Sequence, residues 1–181
     1  VNTPCGPDNE WFYPRHDEKC DSGKCDINCK CGRFVEIGND VYMQYEKLPD
    51  GKYKPLKNKN VDTGFGFERM LMFLNGVTDG YKTDLFCDVI ALMEKTLNIK
   101  YDSDPNITRS MRIIADHIRT SVMLIGDENG ILPSNVGAGY ILRRILRRAI
   151  RHARKISLPS DSLLEIAKIY IEKIYDVAYP N

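Results

Sequence analysis

The hydrophobic pattern of this chain changes from strand-like to helical between residues 76 and 83. Before that point, runs rich in β-branched and aromatic residues predict strands at 11–13, 33–45 and 53–56. After it, apolar residues recur at helical spacing and predict four helices: one capped by Thr83 or Asp84 and ending near Leu97, then 106–125, 137–156 and 161–177. The pattern therefore predicts an α+β chain, with a small antiparallel sheet followed by an all-helical part.

Charge is spread unevenly along a chain whose formal net charge is only +1. No acidic residue occurs between Glu128 and Asp161, and the same segment carries a dense group of cations: Arg143, Arg144, Arg147, Arg148, Arg151, Arg154 and Lys155. On a helix, Leu142, Ile145 or Leu146, Ala149 and Ala153 would face a core and leave most of these cations in solvent. The segment predicts a polyanion-binding face, with an ordinary solvated basic surface as the alternative.

Composition favours a soluble globular protein, since 43% of the residues are hydrophobic and 28% are charged. No apolar run approaches the roughly 18–20 residues of a membrane span, and the first residues lack the pattern of a signal peptide. We therefore expect a cytoplasmic protein without a membrane partner. The oligomeric state is left open.

Four of the six cysteines, Cys20, Cys25, Cys29 and Cys31, fall in one short polar stretch. In a reducing compartment such clustering favours a metal site over disulfides. Four thiolates close a tetrahedral zinc site of the structural type. A loop of free thiols and an iron–sulfur site remain alternatives, because the spacing is irregular.

A glycine-rich segment at residues 61–69, VDTGFGFER, precedes a helix that is expected to end near Asn75 and Gly76. Two glycines allow a ligand to approach the backbone closely, and an arginine just after them offers a planar set of donors to a phosphate. Taken alone, the segment is equally typical of an ordinary glycine turn before a helix.

The same segment resembles motif 3 of class II aminoacyl-tRNA synthetases, in the form used by alanyl-tRNA synthetases. Further stretches agree with that family in order along the chain: PCGP at 4–7 with Glu10 and FY at 12–13, EIGNDVYMQY at 36–45, DHIR at 116–119, PSN at 133–135 and GYILRRILRRA at 139–149. The resemblance covers nearly the whole chain, and its last block is the most specific.

The resemblance implies roles in joining alanine to ATP. Arg69 would hold the triphosphate of ATP, and Glu36 would face ATP through Mg²⁺. Asp62 would bind the ammonium group of alanine, Asn39 would support the same small pocket, and Gly64 and Gly66 would form its floor. Without the family context, Asp62 and Asn39 would be read as residues that cap turns.

The resemblance also implies a partner, the acceptor stem of tRNA(Ala). The residues that would contact it are Asn135, Arg143, Arg144, Arg147, Arg148 and Arg151. The expected organisation is a partial class II antiparallel sheet at 1–78, with the ATP and alanine sites and the cysteine-rich loop, followed by a helical tRNA-recognition domain at 79–181.

Two departures from the family pattern limit this interpretation. Gly38 stands where the family usually has tryptophan, which leaves the shape of the alanine pocket uncertain. Motifs 1 and 2 do not occur in these residues, so we expect no alanyl-adenylate formation unless an N-terminal portion is supplied. The main alternative is a catalytically incomplete synthetase-like protein that binds the tRNA acceptor stem, and a zinc-stabilised general nucleic-acid-binding module ranks below it.

Overall fold

The computed structural model describes residues 3–21 and 23–179. It confirms the predicted α+β class, with an antiparallel sheet in the first part of the chain and helices after it. Two compact units divide the chain, Val1–Thr83 and Asp84–Asn181. Among the described residues, no helix is both long and apolar enough to cross a membrane.

One long strand organises the sheet of the first unit. The four strands are β1 Thr3–Cys5, β2 Asp8–Pro14, β3 Phe34–Lys47 and β4 Tyr53–Phe65. β3 pairs with all three others, with β1 and β2 along one edge and β4 along the other. Residues 6–7 connect β1 to β2 and stay close to β3, because the Tyr42 N–H donates to the carbonyl of Pro7 at 2.9 Å. A Cβ at Gly6 would lie 1.6 Å from the Tyr42 oxygen, so only glycine fits there.

A β-bulge in β3 changes which side chains share a face of the sheet. Trp11 pairs with Gly38, whereas the next residue of β2, Phe12, pairs with Glu36. Ile37 is therefore the extra residue on β3. A bulge of this kind reverses the alternation of side chains beyond it, so Glu36 comes to the same face as Asn39.

Helix α1, Phe67–Leu74, follows β4 directly and packs on the sheet. Its N-cap is Gly66, whose N–H donates to the Ile37 carbonyl at 2.9 Å and so ties the helix start to the bulge. Near the C-terminal end of the helix, the Phe73 ring meets the Tyr13 ring of β2 edge to face, with ring centroids 4.7 Å apart. Helix α1 is thereby held at both ends.

All regular elements in the described part of the second unit are helical. Its elements are α2 Cys87–Leu97, α3 Pro105–Gly126, α4 Gly137–Lys155, α5 Asp161–Ile169 and a π-helical turn Tyr170–Ile174. Asp104 caps α3 by accepting from the backbone N–H groups of Asn106 and Ile107, and Pro105 fills the first helical position. The core is formed by fully buried side chains, the largest being Tyr170, Met93, Met111, Ile114, Leu142, Ile166 and Val89.

Several predicted boundaries differ from the structure. β1 was not predicted, and β2 extends over Asp8–Pro14 rather than 11–13. β4 runs over 13 residues rather than four, because its pairing with β3 continues into the glycine-rich segment as far as Phe65. α2 begins at Cys87, since Thr83 ends a preceding 3₁₀ turn by donating its hydroxyl to Gly80 at 2.6 Å. The last predicted helix ends at Ile169 and continues only as the π-helical turn.

Candidate functional site

One face of the sheet gathers polar side chains from three strands. Asn39 lies opposite Gly64 across the β3–β4 ladder, and Asp62 lies two residues from Gly64 on the same face. The bulge adds Glu36, whose Oε1 accepts a hydrogen bond from Asn39 Nδ2 at 3.4 Å. Glu10 of β2 pairs with Asn39 and belongs to the same face. Sequence reasoning included this residue in the resemblance without giving it a role.

Arg69 borders this face from the first turn of α1. Its Nη1 donates to the backbone carbonyl of Glu36 at 2.8 Å and lies 4.0 Å from the Glu36 carboxylate. The Arg69 side chain is 56% exposed, so most of its donors remain open to solvent. Gly66 allows this position, because a Cβ there would lie only 3.1 Å from the Arg69 side chain.

The structure thus brings five of the sequence-predicted residues to one surface: Glu36, Asn39, Asp62, Gly64 and Arg69. The Asp62 carboxylate is exposed, and within the described residues no protein group pairs with it. There is open space beside Gly64. A Cβ built on this residue would have only Asn39 Oδ1 within 4 Å, at 3.7 Å. Chemically, this surface offers a carboxylate to a cation, a guanidinium to an anion, and room for a small group between them.

The four clustered cysteines converge although they are spread over 12 residues. All four Sγ atoms lie within 4.8 Å of one another, with Cys20 and Cys29 3.3 Å apart. Tetrahedral coordination with metal–sulfur bonds of about 2.3 Å requires sulfur atoms about 3.8 Å apart. The Cys25 and Cys31 sulfur atoms are 3.9 Å apart, and the whole cluster lies within 4.8 Å. The cluster can hold a metal ion.

Two further contacts describe the electrostatics of the cysteine cluster. The Arg33 guanidinium lies 3.9 Å from Cys25 Sγ and donates to the His16 carbonyl at 3.0 Å. The pKa of Cys31 is about 11: the backbone N–H of Arg33 acts to lower it, and the thiol of Cys29, desolvation and the other two thiols outweigh that effect. A bound metal cation would favour the thiolate form of these crowded thiols, so metal binding would release their protons.

Helix α4 divides its residues as its spacing predicts. Leu142, Ala149 and Ala153 are buried, and the cations on the opposite side are exposed: Arg144, Arg147, Arg148, Arg151, Arg154 and Lys155. The five arginines of this set line an open groove of about 700 Å³ together with Tyr140 and Arg143, and Lys155 lies outside it. Burial, and then the neighbouring cations, lower the pKa of His152 below its ordinary value.

Two predicted residues of this region form a pair that the sequence did not reveal. Arg143 Nη1 donates to the side-chain oxygen of Asn135 at 2.7 Å, across eight residues. The guanidinium groups of Arg143 and Arg144 both lie 5.7 Å from the ring of Tyr140. Tyr140 was missed as a candidate, although its place one turn before two arginines was a usable signal.

Comparison with known proteins identifies the family. The whole chain, residues 1–181, matches the family model described as tRNA synthetases class II (A). The chain belongs to the class II tRNA synthetases. It is similar to alanine–tRNA ligases from Borrelia hermsii (47% identical over 176 residues), Treponema denticola (46% over 160) and Treponema pallidum (42% over 178).

These matches cover most of this chain and a small part of each relative. They extend over 97%, 88% and 98% of the chain, but over only 29%, 26% and 29% of the three ligases. The chain therefore spans less than a third of the length of the curated class II synthetases that it matches.

Gly38, the departure from the synthetase pattern, lies on the face of the sheet opposite the candidate site. Its cross-strand partner is Phe65, and a Cβ at residue 38 would lie 2.3 Å from the Phe65 ring and 2.7 Å from the Gly64 carbonyl oxygen. On the same face, Trp11 and Thr63 donate to the Asp40 carboxylate at 2.9 and 2.7 Å, and these bonds lower the pKa of Asp40. The Phe65 ring thus fills the space beside Gly38.

Replacing Gly38 with alanine is expected to destabilise the first unit of this synthetase chain by about 1–3 kcal/mol, because the added Cβ overlaps both a ring and a backbone oxygen. Gly64→Ala is the matched control, since its Cβ meets no atom closer than 3.7 Å. Urea unfolding of both variants measures the difference. Equal stability of Gly38→Ala and the unchanged chain would show that Phe65 does not occupy this space.

Proposed function

We propose that this chain is part of an alanine–tRNA ligase, which activates alanine with ATP and transfers it to tRNA(Ala). The observation that carries the proposal is the shared face of Glu36, Asn39, Asp62 and Gly64, bordered by Arg69. The relatives named alanine–tRNA ligase support the choice of amino acid. The proposal concerns the longer protein, of which this chain supplies one portion.

Each group on this face has a place in adenylate formation. Asp62 holds the ammonium group of alanine, Asn39 orients it, and the bare backbone at Gly64 leaves room for its methyl side chain. The alanine carboxylate then attacks the α-phosphorus of ATP and pyrophosphate leaves. Arg69, together with Gly66, holds the triphosphate and stabilises its negative charge. The Glu36 carboxylate would hold the Mg²⁺ that accompanies ATP, because carboxylate oxygens are ligands that this ion prefers.

The exposed cations of α4 would bind the second substrate, tRNA(Ala). Arg144, Arg147, Arg148 and Arg151 form a continuous basic groove, and guanidinium groups suit the phosphates and minor groove of an A-form stem. The proposed partner is therefore the acceptor stem of tRNA(Ala), with Asn135 and Arg143 at the start of the helix.

Titration of the 181-residue chain with tRNA(Ala) and with a non-cognate tRNA tests this partner. We expect binding that weakens steeply with salt and favours tRNA(Ala). Equal affinity for both tRNAs would remove the cognate claim, and undetectable binding would remove the tRNA claim altogether.

We also propose that Cys20, Cys25, Cys29 and Cys31 bind one structural zinc ion. The convergence of four sulfur atoms supports a closed site with no open position for a reactant. Zinc would hold together the loop between β2 and β3, the strands that carry Glu10 and Glu36.

Metal analysis of protein purified without chelator is expected to give one zinc ion per chain. Cys25→Ser should reduce the zinc content to near zero and lower the thermal midpoint, because the metal contributes folding energy. Cys87→Ser is the matched control, since Cys87 is an exposed cysteine of the other unit. Zinc content unchanged in Cys25→Ser, or lost equally in Cys87→Ser, would contradict the assignment.

A further inference from the structure

The basic hairpin, residues 45–59, joins β3 to β4 and carries a second group of cations, in the unit that holds the candidate site. Its turn is closed by two backbone bonds: the Leu48 N–H donates to the Lys52 carbonyl at 2.9 Å, and the Gly51 N–H donates to the Leu48 carbonyl at 3.0 Å. Gly51 has φ +82°, a left-handed conformation that glycine adopts without strain. All lysines of the basic hairpin are exposed: Lys47, Lys52, Lys54, Lys57 and Lys59. The closed turn therefore supports a dense positive charge.

Few carboxylates offset this charge. The acidic residues of the basic hairpin are Glu46 and Asp50. Asp50 pairs with Lys52 at 3.5 Å, and both side chains are largely exposed. Within residues 3–21 and 23–179, the other four lysines of the basic hairpin form no ion pair. Four unpaired cations on one hairpin favour a polyanionic partner.

Two tyrosines lie beside these lysines. Tyr45 and Tyr53 are 39% and 60% exposed, and their ring centroids are 6.5 Å apart. Lys47 pairs with Tyr53 across the ladder, and Tyr45 lies two residues from Lys47 on β3, so the three side chains share one face. Exposed rings beside cations are typical of surfaces that bind single-stranded nucleic acid, because bases stack on the rings and phosphates contact the cations.

A bulge in β4 separates the two tyrosines from the candidate site. Between the pairs Met43–Asn60 and Tyr45–Pro55, β4 contains four residues, 56–59, and β3 contains one. Two of the exposed lysines lie in this bulge. Because the extra residues belong to β4, the side chains of β3 keep their alternation.

The same face of β3 leads from the basic hairpin to the candidate site. By the alternation of side chains, Tyr45 and Lys47 lie on the side of β3 that carries Asn39. Tyr45 and Asn39 are six residues apart, a path of about 20 Å along a strand. An open hollow of about 410 Å³ lies on this path and is lined by Pro4, Met43, Asn60, Val61 and Asp62. Its volume falls within the range of about 300–1,000 Å³ that is usual for sites of small organic groups.

A phosphate chain that reaches the candidate site needs cations nearby, because the face of that site carries carboxylates. Glu10, Glu36 and Asp62 share this face, and Arg69 borders it. Phosphates and carboxylates repel each other. The basic hairpin supplies an attraction for phosphates at one end of an otherwise acidic surface.

We propose that the basic hairpin binds the single-stranded 3′ end of tRNA(Ala), with bases stacked on Tyr45 and Tyr53 and phosphates held by the lysines. Bound in this way, the RNA strand follows β3 and brings its terminal adenosine toward Asp62. This inference rests on the proposed function as part of an alanine–tRNA ligase. It adds a surface in the first unit that recognises unpaired nucleotides rather than a stem.

The test compares tRNA(Ala) with the same tRNA after removal of its unpaired 3′ nucleotides. The 181-residue chain is titrated with both RNAs, and the measured quantity is the ratio of the two dissociation constants. For the unchanged chain we expect the truncated tRNA to bind about 10-fold more weakly, as when one stacked base and its phosphate contacts are lost.

Two variants of the basic hairpin should reduce this ratio to below about 2-fold. The double change Tyr45→Leu and Tyr53→Leu keeps apolar side chains without the stacking rings. The triple change Lys47→Gln, Lys57→Gln and Lys59→Gln removes charge from exposed positions. Both variants should weaken binding of the intact tRNA and leave binding of the truncated tRNA within about 2-fold of its original value. Thermal unfolding of each variant shows whether the fold is intact.

Two controls keep the ratio if the inference is correct. The triple change Lys95→Gln, Lys100→Gln and Lys168→Gln removes the same total charge from exposed positions of the helical unit. Replacing Arg144, Arg147 and Arg148 of α4 by alanine should weaken binding of both tRNAs by a similar factor, because these arginines are proposed to contact the stem.

Equal affinity of the unchanged chain for intact and truncated tRNA would overturn the inference, while a preference for tRNA(Ala) over a non-cognate tRNA would leave the proposed function standing. A ratio that survives in both hairpin variants would also overturn it. Equal losses for both tRNAs in the lysine variant would overturn it as well, since the lysines would then attract any polyanion. No binding of either tRNA would remove both the inference and the proposed tRNA partner.

Discussion

Arg69→Ala is expected to lower alanine-dependent ATP–pyrophosphate exchange by about 10²–10³-fold, the usual effect of removing one preorganised donor from a developing charge. The assay uses a chimaera in which this chain replaces the matching 176-residue stretch of the Borrelia hermsii ligase. Arg69 lies at the start of α1, beside Glu36 and with most of its donors open to solvent. Among the described residues, no other arginine forms a hydrogen bond or an ion pair with Glu36.

Two further variants sharpen this prediction. Arg69→Lys keeps the charge without the planar donors and should lie between Arg69→Ala and the unchanged chimaera. Lys168→Ala removes an exposed cation of α5 and should leave the exchange rate unchanged. A rate for Arg69→Ala within a few-fold of the Lys168→Ala rate would mean that Arg69 does not meet ATP.

The triple variant Arg144→Ala, Arg147→Ala and Arg148→Ala is expected to weaken binding of an acceptor-stem hairpin on the order of 100-fold near physiological salt. These three side chains are exposed on one face of α4. Each phosphate contact adds a little under one unit to the slope of log K against log salt concentration, so the slope should become shallower by about 2–3.

The control for the triple variant removes the same total charge from other surfaces of the helical unit. Lys95, Lys100 and Lys168 are exposed cations outside α4. Their combined replacement by alanine should change affinity by only a few-fold through the overall charge. Equal losses in the two triple variants would show that binding depends on net charge and that α4 is not the docking face.

Local patterns in the sequence predicted most of the helices and the long strand, whereas the residues of the candidate site came from the resemblance to the synthetase family. Helical spacing predicted that Leu142, Ala149 and Ala153 are buried, and cysteine clustering predicted a group that can hold a metal. The match to the class II synthetase family model confirms the resemblance that the motifs indicated. The individual roles of Glu36, Asn39, Asp62 and Arg69 stay predictions, which the exchange assay addresses.

Features that depend on pairing between distant segments could not be predicted. The bulge at Ile37 is set by the register between β2 and β3, and it decides that Glu36 shares a face with Asn39. Gly38 suggested an altered pocket, but pairing with Phe65 puts it on the opposite face. The Arg143–Asn135 bond likewise requires the loop to fold back on α4, which no spacing in the sequence encodes.

The most direct test of the central claim is ATP–pyrophosphate exchange by the chimaera, measured with alanine and with each other amino acid in turn. The proposed function predicts exchange that depends on alanine, at a rate comparable to that of the Borrelia hermsii ligase, with glycine and serine far weaker. A folded chimaera that shows no exchange, or that exchanges with a different amino acid, would contradict the assignment of this chain to an alanine-activating site.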